Sequence, residues 1–138
     1  MIAMRFIDTN VLLYAVSRNA DERDKAERAR LLLDNRDLAL SVQVLQEFYV
    51  QATRATKTDR IEHDQALKLI ESWMRFPVQE MTVPVMQAAL VARERYQLSY
   101  WDAAILESAR ALGCREVLSE DFSAGRDFAG VRVVNPFA

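Results

Sequence analysis

Asp8, Glu47, Asp102 and Asp121 are spread over the whole chain, yet each falls at a comparable place, at the end of a short apolar run or near the start of a helical stretch. Asp8 closes the run Phe6-Ile7 and precedes Thr9-Asn10-Val11-Leu12-Leu13-Tyr14, while Asp121 follows Val117-Leu118-Ser119-Glu120. An acid at the carboxyl end of a strand points into the crevice where open α/β sheets bind ligands. Carboxylates gathered there repel one another. Two of them about 5 Å apart are opposed by roughly 3 kcal/mol at an effective dielectric near 20. Four acids make six such pairs, a total that rivals the stability of a small domain. Protonation or a divalent cation must relieve it. With oxygen donors and no His or Cys cluster, Mg²⁺ or Mn²⁺ suits the set better than zinc. Such a cation keeps positions for water and phosphate oxygens, so phosphodiester hydrolysis is the chemistry that follows.

Each acid also has a plainer role. Asp8 suits a helix N-cap. Glu47 shares a polar stripe with Gln43, Gln51 and Arg54 and by itself reads as a solvated helix residue. Ser99-x-x-Asp102 fits a capping box, which is compatible with a carboxylate facing a crevice. Ser119-Glu120-Asp121 reads as a turn, in which Glu120 could share or replace the role of Asp121. The argument rests on the set of four.

The elements that must position these acids alternate strand with helix. Met4 to Ile7 reads as a strand. Asn19 or Asp21 caps a helix to about Asn35, with Asp21–Lys25 and Asp24–Arg28 pairs on a solvated face. Leu38 to Leu40 is a buried strand, followed by Ser41 as N-cap and a helix from Val42 to about Thr56. A helix from His63 to about Met74 has Leu67, Ile70 and Met74 on its apolar face. Phe76 to Met81 reads as a strand, Pro84 opens a helix to about Tyr96, and Ser99 caps a helix that stops at Gly113. Glu116 to Leu118 and Val131 to Val134 are the last strands. This alternation predicts a parallel sheet covered on both faces.

Composition narrows the class. The 138 residues, 51% hydrophobic and 28% charged, suit a single domain spanning 1–138. The net charge of −2 carries no global basic signature, although an acidic site would mask one. A single cysteine, Cys114, excludes an internal disulfide and a multi-cysteine zinc site, and the lone His63 has no histidine partner. No apolar run is long enough to span a bilayer. Met1 to Arg5 lacks the apolar core of a signal peptide, and translation could begin at Met1 or Met4. The expectation is a soluble, cytoplasmic protein without a membrane contact.

Other chemistries find little support. There is no Walker loop, Rossmann glycine pattern or Gly-x-Ser-x-Gly elbow. An aspartyl-phosphate phosphatase would want a second acid where Asn10 stands. A phosphoaspartate receiver would want paired acids before the first strand and a late lysine. Arg54, Lys57, Arg60, Arg93 and Arg95 read singly as surface charge and as a group could contact phosphates. Phe48, Tyr49, Trp73, Tyr100 and Trp101 read as core or interface aromatics rather than base-stacking platforms.

The pattern resembles the PIN-domain nucleases, in particular the VapC-like toxins of bacterial toxin–antitoxin modules, over essentially the whole chain. Phe6-Ile7-Asp8-Thr9-Asn10 is similar to the opening motif of that family, and Ser41-Val42-Gln43-Val44-Leu45-Gln46-Glu47-Phe48 to its second. Ser99-Tyr100-Trp101-Asp102-Ala103 matches the third motif and Leu118-Ser119-Glu120-Asp121 the fourth; the ending Val133-Val134-Asn135-Pro136-Phe137 is also similar. The resemblance implies a three-layer α/β/α fold with a parallel sheet of about five strands between helices. It implies a Mg²⁺- or Mn²⁺-dependent endoribonuclease acting on single-stranded or loop RNA. Asp8, Glu47, Asp102 and Asp121 would then hold the metal and the attacking water. Asn10, Ser119 and Thr9 would orient them, with Glu120 as the alternative fourth ligand. It further implies a homodimer and a small antitoxin that covers the active site and through which DNA is contacted only indirectly. A PIN nuclease that processes RNA without an antitoxin, and a PIN fold that only binds, remain the alternatives.

Overall fold

The computed structural model describes residues 4–138. The reading of Met1 to Arg5 as lacking a signal peptide therefore rests mostly on residues outside the described ones. The chain runs β1 (Arg5–Ile7), α1 (Thr9–Ala15), α2 (Arg23–Leu32), β2 (Leu38–Ser41), α3 (Val42–Ala52), α4 (His63–Trp73), β3 (Val78–Gln79), α5 (Val83–Tyr96), α6 (Tyr100–Ala111), β4 (Glu116–Leu118), β5 (Asp127–Phe128) and β6 (Val131–Val134). The strands form one sheet in the order β3-β2-β1-β4-β6-β5. All pairings are parallel except β5 with β6. Strands covered on both faces need continuous apolar runs. Accordingly, Leu38, Ala39 and Leu40 of β2 and Phe6 and Ile7 of β1 are wholly buried.

Chain order and sheet order diverge at β1. The chain first adds β2 and β3 on one side, then returns to place β4 and β6 on the other. A reversal of this kind opens a crevice at the carboxyl ends of the flanking strands. Asp8 follows β1 and Ser119 follows β4, so both stand at that crevice. Helix α6 lies against β2, β3, β4 and β6, with α5 packed on α6, while α1 packs on α2 and α3. Small residues allow the α5–α6 contact to be close: Ala89 and Ala92 meet Ala103 and Ala104 in a second buried cluster. Among the described residues no helix is long and apolar enough to cross a membrane.

Several expectations are corrected in detail. To the sheet of about five strands that was expected the fold adds a short sixth, because Asp127–Phe128 folds back on β6 through Ala129-Gly130, both at positive φ (51° and 99°). Two successive left-handed residues match the twist of a tight hairpin. Helix α3 stops at Ala52, where the Thr53 hydroxyl bonds the Tyr49 carbonyl at 2.7 Å and the next turn begins. The expected strand from Phe76 to Met81 shrinks to Val78–Gln79, which pair in register with Leu40 and Ser41 of β2. The helix expected from Asn19 starts with a single tight turn, Ala20–Glu22, capped by the Asn19 side chain, and regular helix begins at Arg23. Of the expected apolar face of α4, Ile70 packs half-buried on the core, whereas Leu67 and the capping Met74 are exposed and Ala66 and Trp73 are buried instead. The reason is the indole: Trp73 stacks edge-on against Phe48 at 4.7 Å, and this contact decides which face of α4 turns inward.

Phe48 is fully buried and neighbours Glu47 on α3, so it fixes how that helix presents its acid. Phe48→Ala is expected to lower unfolding free energy by about 3–5 kcal/mol in urea titrations. A loss below about 1 kcal/mol would mean that the α3–α4 contact is not part of the core.

Candidate active site

Strand register builds the inner half of the site. Ile7 pairs with Leu118, so the next residues, Asp8 and Ser119, stand abreast. The Asp8 amide continues the ladder by donating to the Leu118 carbonyl at 3.0 Å. The Ser119 hydroxyl donates to Asp8 Oδ2 at 2.6 Å, and the Thr9 amide donates to Asp8 Oδ1 at 2.7 Å. Asp8 is thus both the N-cap of α1 and an acid of the crevice. Its single proton committed to Asp8, the Ser119 oxygen can only accept from its other neighbours. It receives the Asp121 amide at 3.1 Å and Asn10 Nδ2 at 3.3 Å. That assignment turns the Asn10 carbonyl oxygen elsewhere, and it is buried without a partner among the described residues.

The outer half comes from helices. Glu47 lies in the second turn of α3, where Gln43, one turn earlier, donates Nε2 to Glu47 Oε1 at 2.7 Å and to the Trp101 carbonyl at 3.2 Å. The Thr9 hydroxyl reaches Glu47 Oε2 at 3.4 Å. Asp102 occupies the first turn of α6, where the Ser99 hydroxyl accepts its amide at 3.1 Å. Together, Asp8, Asn10, Glu47, Asp102 and Asp121 line one cleft of about 80 Å³, with Leu13 and Ile105 as apolar walls.

The cleft's electrostatics follow from this packing. Burial pushes the Asp8 carboxyl up to about 6; the bonds from Ser119 and Thr9 oppose the shift, and the charges of Asp121 and Glu47 add to it. Asp102 is raised as well, chiefly by burial, against the pull of Ser99 and with the help of Asp121. Among the described residues no three acids, histidines or cysteines converge into a ready-made cation cage. The acids line the cleft instead of closing on a point. The donor chemistry nevertheless fits a hard divalent cation: four carboxylates, the orphaned Asn10 amide oxygen, and no sulfur or imidazole in the lining.

This arrangement can be compared with known proteins. The sequence matches the family profile described as PIN domain over residues 5–128. The chain belongs to the PIN-domain family. Its fold is similar to a toxin–antitoxin complex from Klebsiella pneumoniae, at 22% identity and a TM-score of 0.69, covering 96% of this chain and 97% of that one. It is similar to FitAB bound to an IR36 DNA fragment, at 21% identity and a TM-score of 0.73, covering 98% and 96%. It also resembles VapC20 of Mycobacterium tuberculosis, described as a sarcin-ricin loop cleaving toxin, at 19% identity and a TM-score of 0.64, covering 90% and 96%. No curated protein sequence matches.

Within this PIN domain the two adjacent acids separate. Asp121 lines the cleft, whereas Glu120 accepts from Tyr14 and pairs with Lys25 at 2.6 Å. Burial works against the Glu120 carboxylate, but the Lys25 and Tyr14 bonds hold it below its ordinary value. Lys25 therefore pairs with Glu120, not with Asp21 as its helical spacing suggests. Of the five expected basic residues, Arg54 lines a groove beside the cleft, Lys57 is tied to Asp59 at 3.1 Å, Arg60 accepts from Arg18 through its carbonyl at 3.1 Å, and Arg93 and Arg95 sit at the end of α5. Phe48 and Trp73 are core as expected, but Trp101 is exposed. The sequence places Gln43 on a polar stripe with Glu47 without giving it a role; it is buried, and its spacing four residues before Glu47 is the available signal.

The raised carboxyl of Asp8 has a defined sign. Folded protein holds this proton more tightly than unfolded protein, so the contribution is present below the ordinary 3.8 and lost as pH rises through about 6. The displacement corresponds to roughly 3 kcal/mol. In EDTA, stability from urea titrations should fall between about pH 4 and pH 7, and Asp8→Asn should reduce that fall while matching or exceeding wild type at pH 7. Equal slopes for both proteins would contradict the burial of an ionisable Asp8.

Proposed function

We propose that this PIN domain is a Mg²⁺- or Mn²⁺-dependent endoribonuclease that hydrolyses phosphodiester bonds of RNA in the cytoplasm, as the toxin of a toxin–antitoxin pair. The observation that carries the reading is that Asp8, Glu47, Asp102 and Asp121 all line one cleft at the switch point of the sheet. The similar solved structures support it, since they include a toxin–antitoxin complex and a toxin described as cleaving the sarcin-ricin loop.

The four carboxylates would hold the cation, which when bound supplies charge neutralisation on the phosphoryl oxygens and a more acidic water. The chain's own contribution is orientation and exclusion. Ser119 fixes the rotamer of Asp8, and Gln43 fixes that of Glu47. Asn10 Oδ1, buried without a partner among the described residues, would add a further oxygen donor toward the cation. Leu13 and Ile105 wall the cleft and keep bulk water from screening the charges. Asp121, and not Glu120, serves as the fourth acid. A small antitoxin would cover this cleft and bring the only DNA contact. The exposed apolar side chains Val83, Met86, Leu90 and Val91 of α5 suit pairing of two copies.

The test is cleavage of a panel of single-stranded and structured RNAs by purified protein with Mg²⁺, Mn²⁺ or EDTA. Cutting should require the metal, and Asp121→Asn should lower kcat by at least about 100-fold while Glu120→Gln stays within about tenfold of wild type. Metal-independent cutting, or loss with Glu120→Gln alone, would overturn the assignment. For the toxin role, expression should arrest growth, and co-expression of the small protein encoded beside it should relieve the arrest. Unimpaired growth with active enzyme would point to RNA processing without an antitoxin.

A further inference from the structure

The Trp101 ring has no role in the site as described, yet among the described residues it is the one Phe, Tyr or Trp exposed to solvent, at 63%. An indole in the open loses the burial that normally holds it. It sits one residue before Asp102 in the first turn of α6, and Tyr100 packs edge-on against it at 5.0 Å. Its carbonyl accepts from Gln43, the same side chain that holds Glu47. Backbone and ring are thereby held beside the acids. Trp101 borders both the acid cleft and a neighbouring groove of about 380 Å³, and Glu47 and Gln51 are common to both. That volume falls within the roughly 300–1,000 Å³ of small-molecule sites.

We propose that Trp101 is a stacking platform for a base of single-stranded RNA beside the scissile phosphate, and that this groove is the base's subsite. The inference rests on the nuclease reading above and names where that substrate lies. The groove is mostly apolar, with Val50 exposed in it. Gln46 and Gln51 add amide donors and acceptors that can meet a base edge, and Arg54 adds a cation for the backbone. An acidic cleft repels a polyanion, so the strand needs adjoining contacts that attract it. Aromatic stacking and Arg54 supply them, and the continuity of groove and cleft puts them within one nucleotide's reach of the acids. Unpaired bases can leave a stack to occupy such a platform, whereas paired ones must first break their pairing.

The chain has two tryptophans, and Trp73 is buried in the core, so the exposed emission reports Trp101. A mixed-sequence single-stranded oligoribonucleotide, titrated in EDTA, should quench that emission, and an abasic strand of equal length should not. With Mg²⁺ or Mn²⁺, Trp101→Ala should raise KM for the same oligonucleotide by about 5- to 150-fold, with kcat within about threefold. Trp101→Phe should stay within about threefold in both. Metal-dependent cleavage by wild type with an unchanged KM in Trp101→Ala would sink the subsite and leave the nuclease reading intact. Neither cleavage nor quenching by wild type would sink both. If Trp101→Ala weakens RNA binding only by changing the mass measured by light scattering, the ring belongs to a contact between copies and the proposal is wrong.

Discussion

The bond from Ser119 to Asp8 is the constraint on which the rest of the structure depends. It joins the ends of two neighbouring strands at the point where the sheet reverses its order, and it holds a carboxylate that is 6% exposed. A buried carboxylate needs its lone pairs satisfied. The Ser119 hydroxyl and the Thr9 amide do this, and in doing so they start α1 and stop β4 at matching heights. Two demands fall on one side chain: Asp8 caps a helix, and the same burial that makes it a firm cap raises its pKa to about 6.

Around this inner acid, the outer ones are held by local devices of different kinds. Glu47 depends on a helical neighbour one turn away, Asp102 on the first turn of a helix capped by Ser99, and Asp121 on the amide bond to Ser119. Glu120 shows how adjacent identical charges are given different work. Its pairing with Lys25 and Tyr14 fastens the loop after β4 to α1 and α2 and removes one negative charge from the field of the cleft.

Much of this was legible in the sequence because short apolar runs, capping residues and strand-end acids are local signals. The starts of α3, α5 and α6, the strands at Leu38, Glu116 and Val131, and the position of Gly113 after α6 at a φ of 78° all follow from such signals. What was missed depends on contacts between distant segments. The β5 hairpin turns on Ala129-Gly130, which carries no Asn-Gly signature, and exists because Phe128 finds a buried place against Tyr96 at 5.0 Å. The inward face of α4 was set by Trp73 meeting Phe48, not by the spacing of its leucines. The fates of Glu120 and Asp121 could not be separated locally, since only folding brings Lys25 to one of them. For Trp101 the sequence leaves core and interface open, and the fold excludes the core; hydrophobic character alone cannot tell a core ring from one left open beside a polar cleft.

The central claim is that these four acids share a cation, and the most direct measurement is a calorimetric titration of Mn²⁺ into the metal-free protein near pH 6, in buffers of different ionisation enthalpy, for wild type and Asp8→Asn. Wild type should bind saturably and release a fraction of a proton, because Asp8 is partly protonated there and must ionise to coordinate. The variant should bind much more weakly and release less. Equal binding and equal proton release by the two proteins would contradict the account.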